Sequence, residues 1–192
     1  MSDITAFGMS GWSWLNPPAE WSTVDGLAVT TKDDSDFWRT THYDFVRDTG
    51  HALLRPVRGD FELRMSFTGD YAEQYDQAGA LLRVDERNWI KTGIEFVDGE
   101  HFLSAVVTRD FSDWSVVALA ELTEAVSLHI DRTGDAVTVR YGVGAAEPST
   151  MLRLAYLPPG GEVLVGPMCA SPQGRGFPTR FHHFEVHSRS TG

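Results

Sequence analysis

Trp89, Lys91 and Glu95 stand at alternate positions of one short stretch, Trp89-Ile90-Lys91-Thr92-Gly93-Ile94-Glu95. Successive side chains of a strand point to opposite faces, so an extended chain here lines one face with Trp89, Lys91, Gly93 and Glu95. The segment before the turn Asp85-Glu86-Arg87-Asn88 puts Gln77, Gly79, Leu81 and Arg83 on the matching face of a neighbouring strand. These residue types suit recognition of a sugar or another small polar ligand. Trp89 would stack on a ring, Gly93 would let the ligand approach backbone, and Gln77, Arg83, Lys91 and Glu95 would hydrogen-bond its polar groups. The competing reading is that Arg83, Lys91 and Glu95 pair with one another on a solvated face, each pair worth about 0–1 kcal/mol.

Glu95 also raises the question of glycoside hydrolysis. That chemistry needs two carboxyl groups, about 5 Å apart for retention or about 6.5–9.5 Å for inversion. Residues two apart on a strand lie about 6.7 Å apart and would mount such a pair. The positions flanking Glu95 are Gly93 and Val97, so a partner has to come from a loop, with Asp76, Asp110 and Asp113 as candidates. A binding module is therefore the first reading. A hydrolase or lyase using Glu95 as acid or base is the alternative.

The elements that would position these residues are strands. Gln77, Gly79, Leu81 and Arg83 alternate with Ala78, Ala80, Leu82 and Val84, and the next strand hides Ile90, Thr92, Ile94 and Phe96. Phe61, Leu63, Met65 and Phe67 alternate with Glu62, Arg64, Ser66 and Thr68, a half-buried strand. Val126, Leu128 and Ile130, then Val137, Val139 and Tyr141, flank Arg132-Thr133-Gly134-Asp135 as a hairpin. Further strands are expected at His101 to Asp110, Trp114 to Leu119, Met151 to Leu157, Val163 to Met168 and Phe181 to His187. Gly8 to Pro18 reads as an irregular arm or edge strand, and 145–149 as a loop. No sustained helical period interrupts them, so the chain reads as an all-β sandwich or barrel. One domain over residues 1–192, with its core at about 12–187, is expected.

The balance of 27 acidic against 16 basic residues gives a net charge of −11, with no basic run. Such a surface repels phosphate backbones and anionic lipid, so nucleic acid and membranes are not expected partners. No window approaches the ~20 apolar residues that span a bilayer. The N-terminus lacks a basic region followed by an apolar run, which suggests a cytoplasmic protein. Cys169, the single cysteine, is expected to be a small buried filler. The seven histidines show no tight ligand spacing, and His182 and His183 should face opposite ways on a strand, so no metal site is expected. No phosphate loop or dinucleotide fingerprint followed by a helix occurs, and no cofactor is expected. Trp38 and Trp114 each follow a nearby Asp, in Ser35-Asp36-Phe37-Trp38 and Ser112-Asp113-Trp114-Ser115. Either the Asp caps local N–H groups while the Trp packs, or both indoles rim the site.

Several segments occur together in order: Asp36-Phe37-Trp38, Tyr75-Asp76-Gln77-Ala78-Gly79, Trp89 to Glu95, Val107-Thr108 with Asp113-Trp114-Ser115, and Cys169-Ala170-Ser171-Pro172. In this combination the chain, from about Trp12 to Val186, resembles the uncharacterised-domain family named after a fungal regulation-of-enolase protein. The resemblance implies a concanavalin A-like jelly roll of two antiparallel sheets, one of them concave. By analogy with other sandwiches of that shape, the concave face is where a lectin-like module holds sugar. The family name also hints at a metabolic-enzyme partner. The resemblance assigns no site residues, so Gln77, Arg83, Trp89, Lys91 and Glu95 rest on the reading of the strands.

Overall fold

The computed structural model describes residues 3–120, 122 and 124–189, and these form strands with no helix. In chain order the strands are β1 (Ile4–Ala6), β2 (Met9–Leu15), β3 (Glu20–Ser22), β4 (Leu27–Thr30), β5 (Phe37–Arg39) and β6 (Val46–Asp48). Then come β7 (His51–Arg58), β8 (Asp60–Gly69), β9 (Gln77–Arg83), β10 (Asn88–Val97), β11 (Glu100–Arg109) and β12 (Phe111–Ala118). The last five are β13 (Val126–Thr133), β14 (Ala136–Val143), β15 (Thr150–Tyr156), β16 (Glu162–Ala170) and β17 (Pro178–Arg189).

Two antiparallel sheets pack face to face as a jelly-roll sandwich. One has eight strands in the order β1-β2-β7-β16-β9-β10-β11-β12; the other has seven, β15-β14-β13-β8-β17-β4-β3. Turn chemistry fixes some joints: Asp98 and Gly99, both at positive φ, join β10 to β11 as a two-residue hairpin turn requires. Gly8 to Pro18 supplies most of the β1–β2 edge pair, and its Trp12 is buried in the core.

The core follows the alternation. Phe61, Leu63, Met65 and Phe67 of β8 are buried and meet Ala78, Ala80, Leu82, Ile90 and Ile94 across the sandwich. Each fully buried side chain of this size contributes about 1.5–3 kcal/mol relative to leaving it in water. β8 is a one-sided strand whose other residues are half-buried, whereas all seven residues of β9 are buried. The difference is a third, two-stranded layer. The hairpin β5–β6 lies on the outer face of the eight-stranded sheet and encloses a second apolar cluster of Phe37, Trp38, Leu54, Leu81, Trp89, Val106 and Met168.

Candidate functional site

The covering hairpin decides what the outer face of β9 and β10 can do. The two strands pair as Trp89↔Arg83, Lys91↔Leu81, Gly93↔Gly79 and Glu95↔Gln77, so the expected residues do share one face. They divide into two groups. Trp89 and Arg83 lie under the hairpin, and Gln77, Lys91 and Glu95 lie beyond it.

Trp89 is 1% exposed, with its ring 6.1 Å from that of Phe37. It supports the hairpin from below and offers no face to a ligand, so the stacking role expected of it is corrected. Arg83 does not reach the site either. Its Nη1 and Nη2 donate to Asp48 Oδ1 and Oδ2 at 2.7 and 2.8 Å, which bolts the end of β6 to the sheet. Gly93 also differs from expectation. A Cβ there would overlap the Ala78 carbonyl oxygen and lie 2.6 Å from Gly79 Cα, so glycine answers the close approach of β9 rather than making room for a ligand.

Gln77, Lys91 and Glu95 floor a cavity of about 240 Å³. Lys91 Nζ donates to Gln77 Oε1 at 2.5 Å and lies 3.6 Å from Asp36 Oδ1. Gln77 Nε2 donates to Asp36 Oδ1 at 3.3 Å and to the Tyr75 carbonyl at 3.1 Å. Asp36 Oδ1 also accepts from the Phe37 amide at 2.7 Å, so the loop Asp caps its hairpin and meets the sheet at once. On the other side, Trp114 Nε1 donates to Ser104 Oγ at 3.0 Å and Ser104 Oγ donates to Glu95 Oε2 at 2.8 Å. Burial pushes the Glu95 carboxyl above its ordinary range, against the pull of the Lys91 ammonium and the Ser104 hydrogen bond. The charges on this face are therefore partnered but not solvated.

The walls are aromatic. Trp38, Tyr43 and Phe45 come from the hairpin, with Tyr43 edge-on to Trp38 at 5.7 Å and stacked on Phe45 at 5.5 Å. Tyr75 and Trp114 face them. Tyr43 and Tyr75 bring their hydroxyls to 3.3 Å, and that hydrogen bond, with burial, pushes the Tyr43 phenol up to about 12. Trp38 and Trp114 are thus rim residues, and Asp36 also acts as the cap. Thr40, His42, Asp44 and Tyr75 all hold positive φ beside this cavity. For a β-branched or bulky residue that backbone is strained, and such strain gathers at ligand clamps.

Sequence reasoning missed Asp36, Ser104, Tyr43 and Tyr75 as partners. Ser104 had a signal, because it stands opposite Gly93 in the β10–β11 register and so shares the face. Tyr43 and Phe45 had none beyond being aromatic in a polar stretch. The loop carboxylates expected to partner Glu95 are engaged elsewhere. Asp76 accepts from Ser171 Oγ and from the Ala72 and Glu73 amides, Asp110 pairs with Arg87, and Asp113 faces Arg153. Asp36 is the carboxylate that comes nearest to Lys91 instead.

Two other clusters were weighed. Glu62, His129 and Asp131 converge on the outer face of the seven-stranded sheet. Arg64, Arg140 and Arg189 already occupy those carboxylates, and the first and last of them hold Glu62 down to about 2, so the group is an ion-pair network. A β-bulge between Phe181 and His183 leaves both His182 and His183 exposed, rather than on opposite faces as a regular strand would place them. Cys169 is buried among apolar neighbours, and desolvation pushes its thiol far up.

A family profile described as a protein of unknown function, DUF1349, matches residues 14–189. The chain belongs to this family. It is 34% identical over 185 residues to Regulation of enolase protein 1 of Saccharomyces cerevisiae, covering 93% of this chain and 90% of that one. The crystal structure of a functionally unknown protein from Saccharomyces cerevisiae superposes with a TM-score of 0.89 at 30% identity, over 97% of this chain and 100% of that chain. The carbohydrate-binding module CBM66 from Bacillus subtilis matches with a TM-score of 0.59 at 15% identity, over 93% of this chain and 96% of that chain. This last likeness is one of fold, and it agrees with the jelly-roll sandwich drawn from the strands.

Proposed function

We propose that this DUF1349 member is a non-catalytic binding module whose cavity over Gln77, Lys91 and Glu95 takes a sugar-sized polar ligand. The observation that carries the reading is the pairing of a fixed polar floor with aromatic walls in about 240 Å³. That volume falls below the roughly 300–1,000 Å³ of sites for drug-sized ligands, and suits one sugar ring. Trp38 and Trp114 offer apolar surface to the ring, and Gln77, Lys91 and Glu95 offer donors and acceptors to its hydroxyls. The likeness in fold to a carbohydrate-binding module supports the same reading.

Turnover is less favoured by the same geometry. Asp36 Oδ1 is already committed to Phe37, Gln77 and Lys91, which suits a positioning group better than a nucleophile or base. Regulation of enolase is suggested by the name of the yeast relative, and no surface feature of this chain singles it out.

Thermal unfolding against mono- and oligosaccharides at ~10 mM tests the proposal. A sugar with Kd near 1 mM stabilises by about 1.4 kcal/mol. For a domain of this size that raises Tm by roughly 3–6 °C. Glu95→Ala should weaken binding about 10- to 150-fold, as expected for a lost charged hydrogen bond. Loss of binding in Trp114→Ala should accompany it. A panel that leaves Tm unmoved refutes the sugar reading, and unchanged affinity in Glu95→Ala removes that residue from it. Release of new reducing ends from any oligosaccharide, lost in Glu95→Gln, would make the module an enzyme.

A further inference from the structure

The cavity shares part of its wall with a larger groove. Trp38, Tyr43 and Trp114 border both, and the groove beyond them holds about 980 Å³. It runs between the two sheets where their last strands come together, with Phe111, Ser112 and Asp113 of β12 on one bank and Arg153, Leu154 and Tyr156 of β15 on the other. The cavity has the sheet beneath it, the β5–β6 hairpin on one side, and Pro172 and Gln173 as further wall. A ligand seated on the floor and extending past Trp114 would continue into the groove.

The groove has the surface chemistry of a glycan subsite. Its aromatic groups are presented to solvent: Trp114 is 37% exposed, Tyr156 46% and Phe111 61%. Exposed aromatics grouped on two edge strands are the kind of patch a partner covers. The Tyr156 ring is held by the Arg109 guanidinium, 3.9 Å from its centroid, and Arg109 Nη2 also donates to the Tyr156 carbonyl at 2.6 Å. Trp114 is held through its Nε1 by Ser104. Two anchored rings beside Asp113, Arg109 and Arg153 alternate flat apolar surface with charge, which fits pyranose or furanose rings better than an acyl chain or an apolar peptide.

We propose that the site takes a glycan by its chain end. The terminal sugar fills the cavity over Lys91 and Glu95, and the next one or two units lie in the groove against Trp114 and Tyr156. This rests on the reading of the cavity as a sugar site and adds to it a ligand class, oligosaccharides recognised from one end rather than free sugars or chain interiors. The cavity volume sets the limit, since one ring fills it and the polar floor leaves no second exit beneath.

Calorimetric titration of the full chain tests this, with glucose, xylose, mannose, galactose, arabinose and fructose, each as mono-, di- and trisaccharide. The trisaccharide of the bound series should bind at least tenfold tighter than its monosaccharide. Tyr156→Ala should bring that ratio down toward one, whereas Glu95→Gln should weaken both ligands in proportion. On the corresponding long polymer, saturation should count one protein per chain end. Equal affinity for mono- and trisaccharide, a ratio indifferent to Tyr156→Ala, or many proteins per polymer chain overturns the chain-end proposal while leaving the cavity as a monosaccharide site. Failure of every sugar to bind overturns the cavity reading, and the chain-end proposal falls with it.

Discussion

Replacing Trp89 by alanine separates a structural tryptophan from a ligand-binding one. The indole is 1% exposed and packs with Phe37, Leu54, Leu81, Val106 and Met168 beneath the β5–β6 hairpin. Emptying such a site typically costs about 3–5 kcal/mol, from lost burial plus the void left behind. At about 2–4 °C per kcal/mol for a protein of this size, Tm should fall by roughly 6–20 °C. The damage should not be uniform. The hairpin loses its apolar seat but keeps Arg83–Asp48 and the Arg39 amide bond to Ser112 Oγ, so it should loosen before the sandwich opens. Urea unfolding gives the total, and amide hydrogen exchange should show β5 and β6 losing protection at denaturant concentrations where β8 keeps it. Trp89→Phe, which keeps a ring against Phe37, should restore much of both. The reasoning fails if Trp89→Ala costs less than about 1 kcal/mol yet abolishes sugar binding, because the indole would then be touching ligand.

Glu95→Gln should stabilise the fold relative to wild type as pH rises. Glu95 is protonated in both states below its ordinary range near 4.5, and burial raises it in the folded state. The native protein therefore loses stability as pH climbs from there through the raised value, and a neutral glutamine escapes that loss. Urea midpoints from pH 4 to 8 should diverge upward for the variant, and parallel curves would show that Glu95 is not desolvated. Gly93→Ala should destabilise by about 1–3 kcal/mol or more, because the new Cβ meets the Ala78 carbonyl and Gly79 Cα across the strand pair. A neutral substitution, read by the same urea midpoint, would mean β9 and β10 are not this close.

The strand faces were legible because period-2 alternation is a local property. Phe61 to Phe67, Ala78 to Leu82 and Ile90 to Ile94 could be sorted into inner and outer faces from their neighbours alone, and the sandwich buries the inner ones. What lies on the outer face is a tertiary fact. The chain that covers Trp89 is a three-residue strand about fifty positions earlier, and nothing in its Asp36-Phe37-Trp38 signals which sheet it will lie on. Hence the same alternation that put Gln77, Lys91 and Glu95 on the cavity floor also offered Trp89 and Arg83, which serve the hairpin. The aromatic walls were half legible. Trp38 and Trp114 stood out beside their aspartates, whereas Tyr43 and Tyr75 reach the site through loop conformations with positive φ.

The hairpin is also why a polar floor can exist. Lys91, its side chain 4% exposed, would be costly to bury alone. A buried ion pair is weak grounds for stability, since desolvation offsets most of the attraction. Here Lys91 is answered by Gln77 from its own sheet and by Asp36 from the hairpin, so the polar contact exists only when the hairpin is seated. Seating is fixed at two other points, by Phe37 over Trp89 and by Asp48 on Arg83. Three contacts of different chemistry thus hold one small layer, and that layer carries Trp38, Tyr43 and Phe45 to the cavity wall. A ligand entering such a site orders little that is not already ordered. Its binding energy is then set by its own fit to the rings and the floor rather than spent on closing a loop.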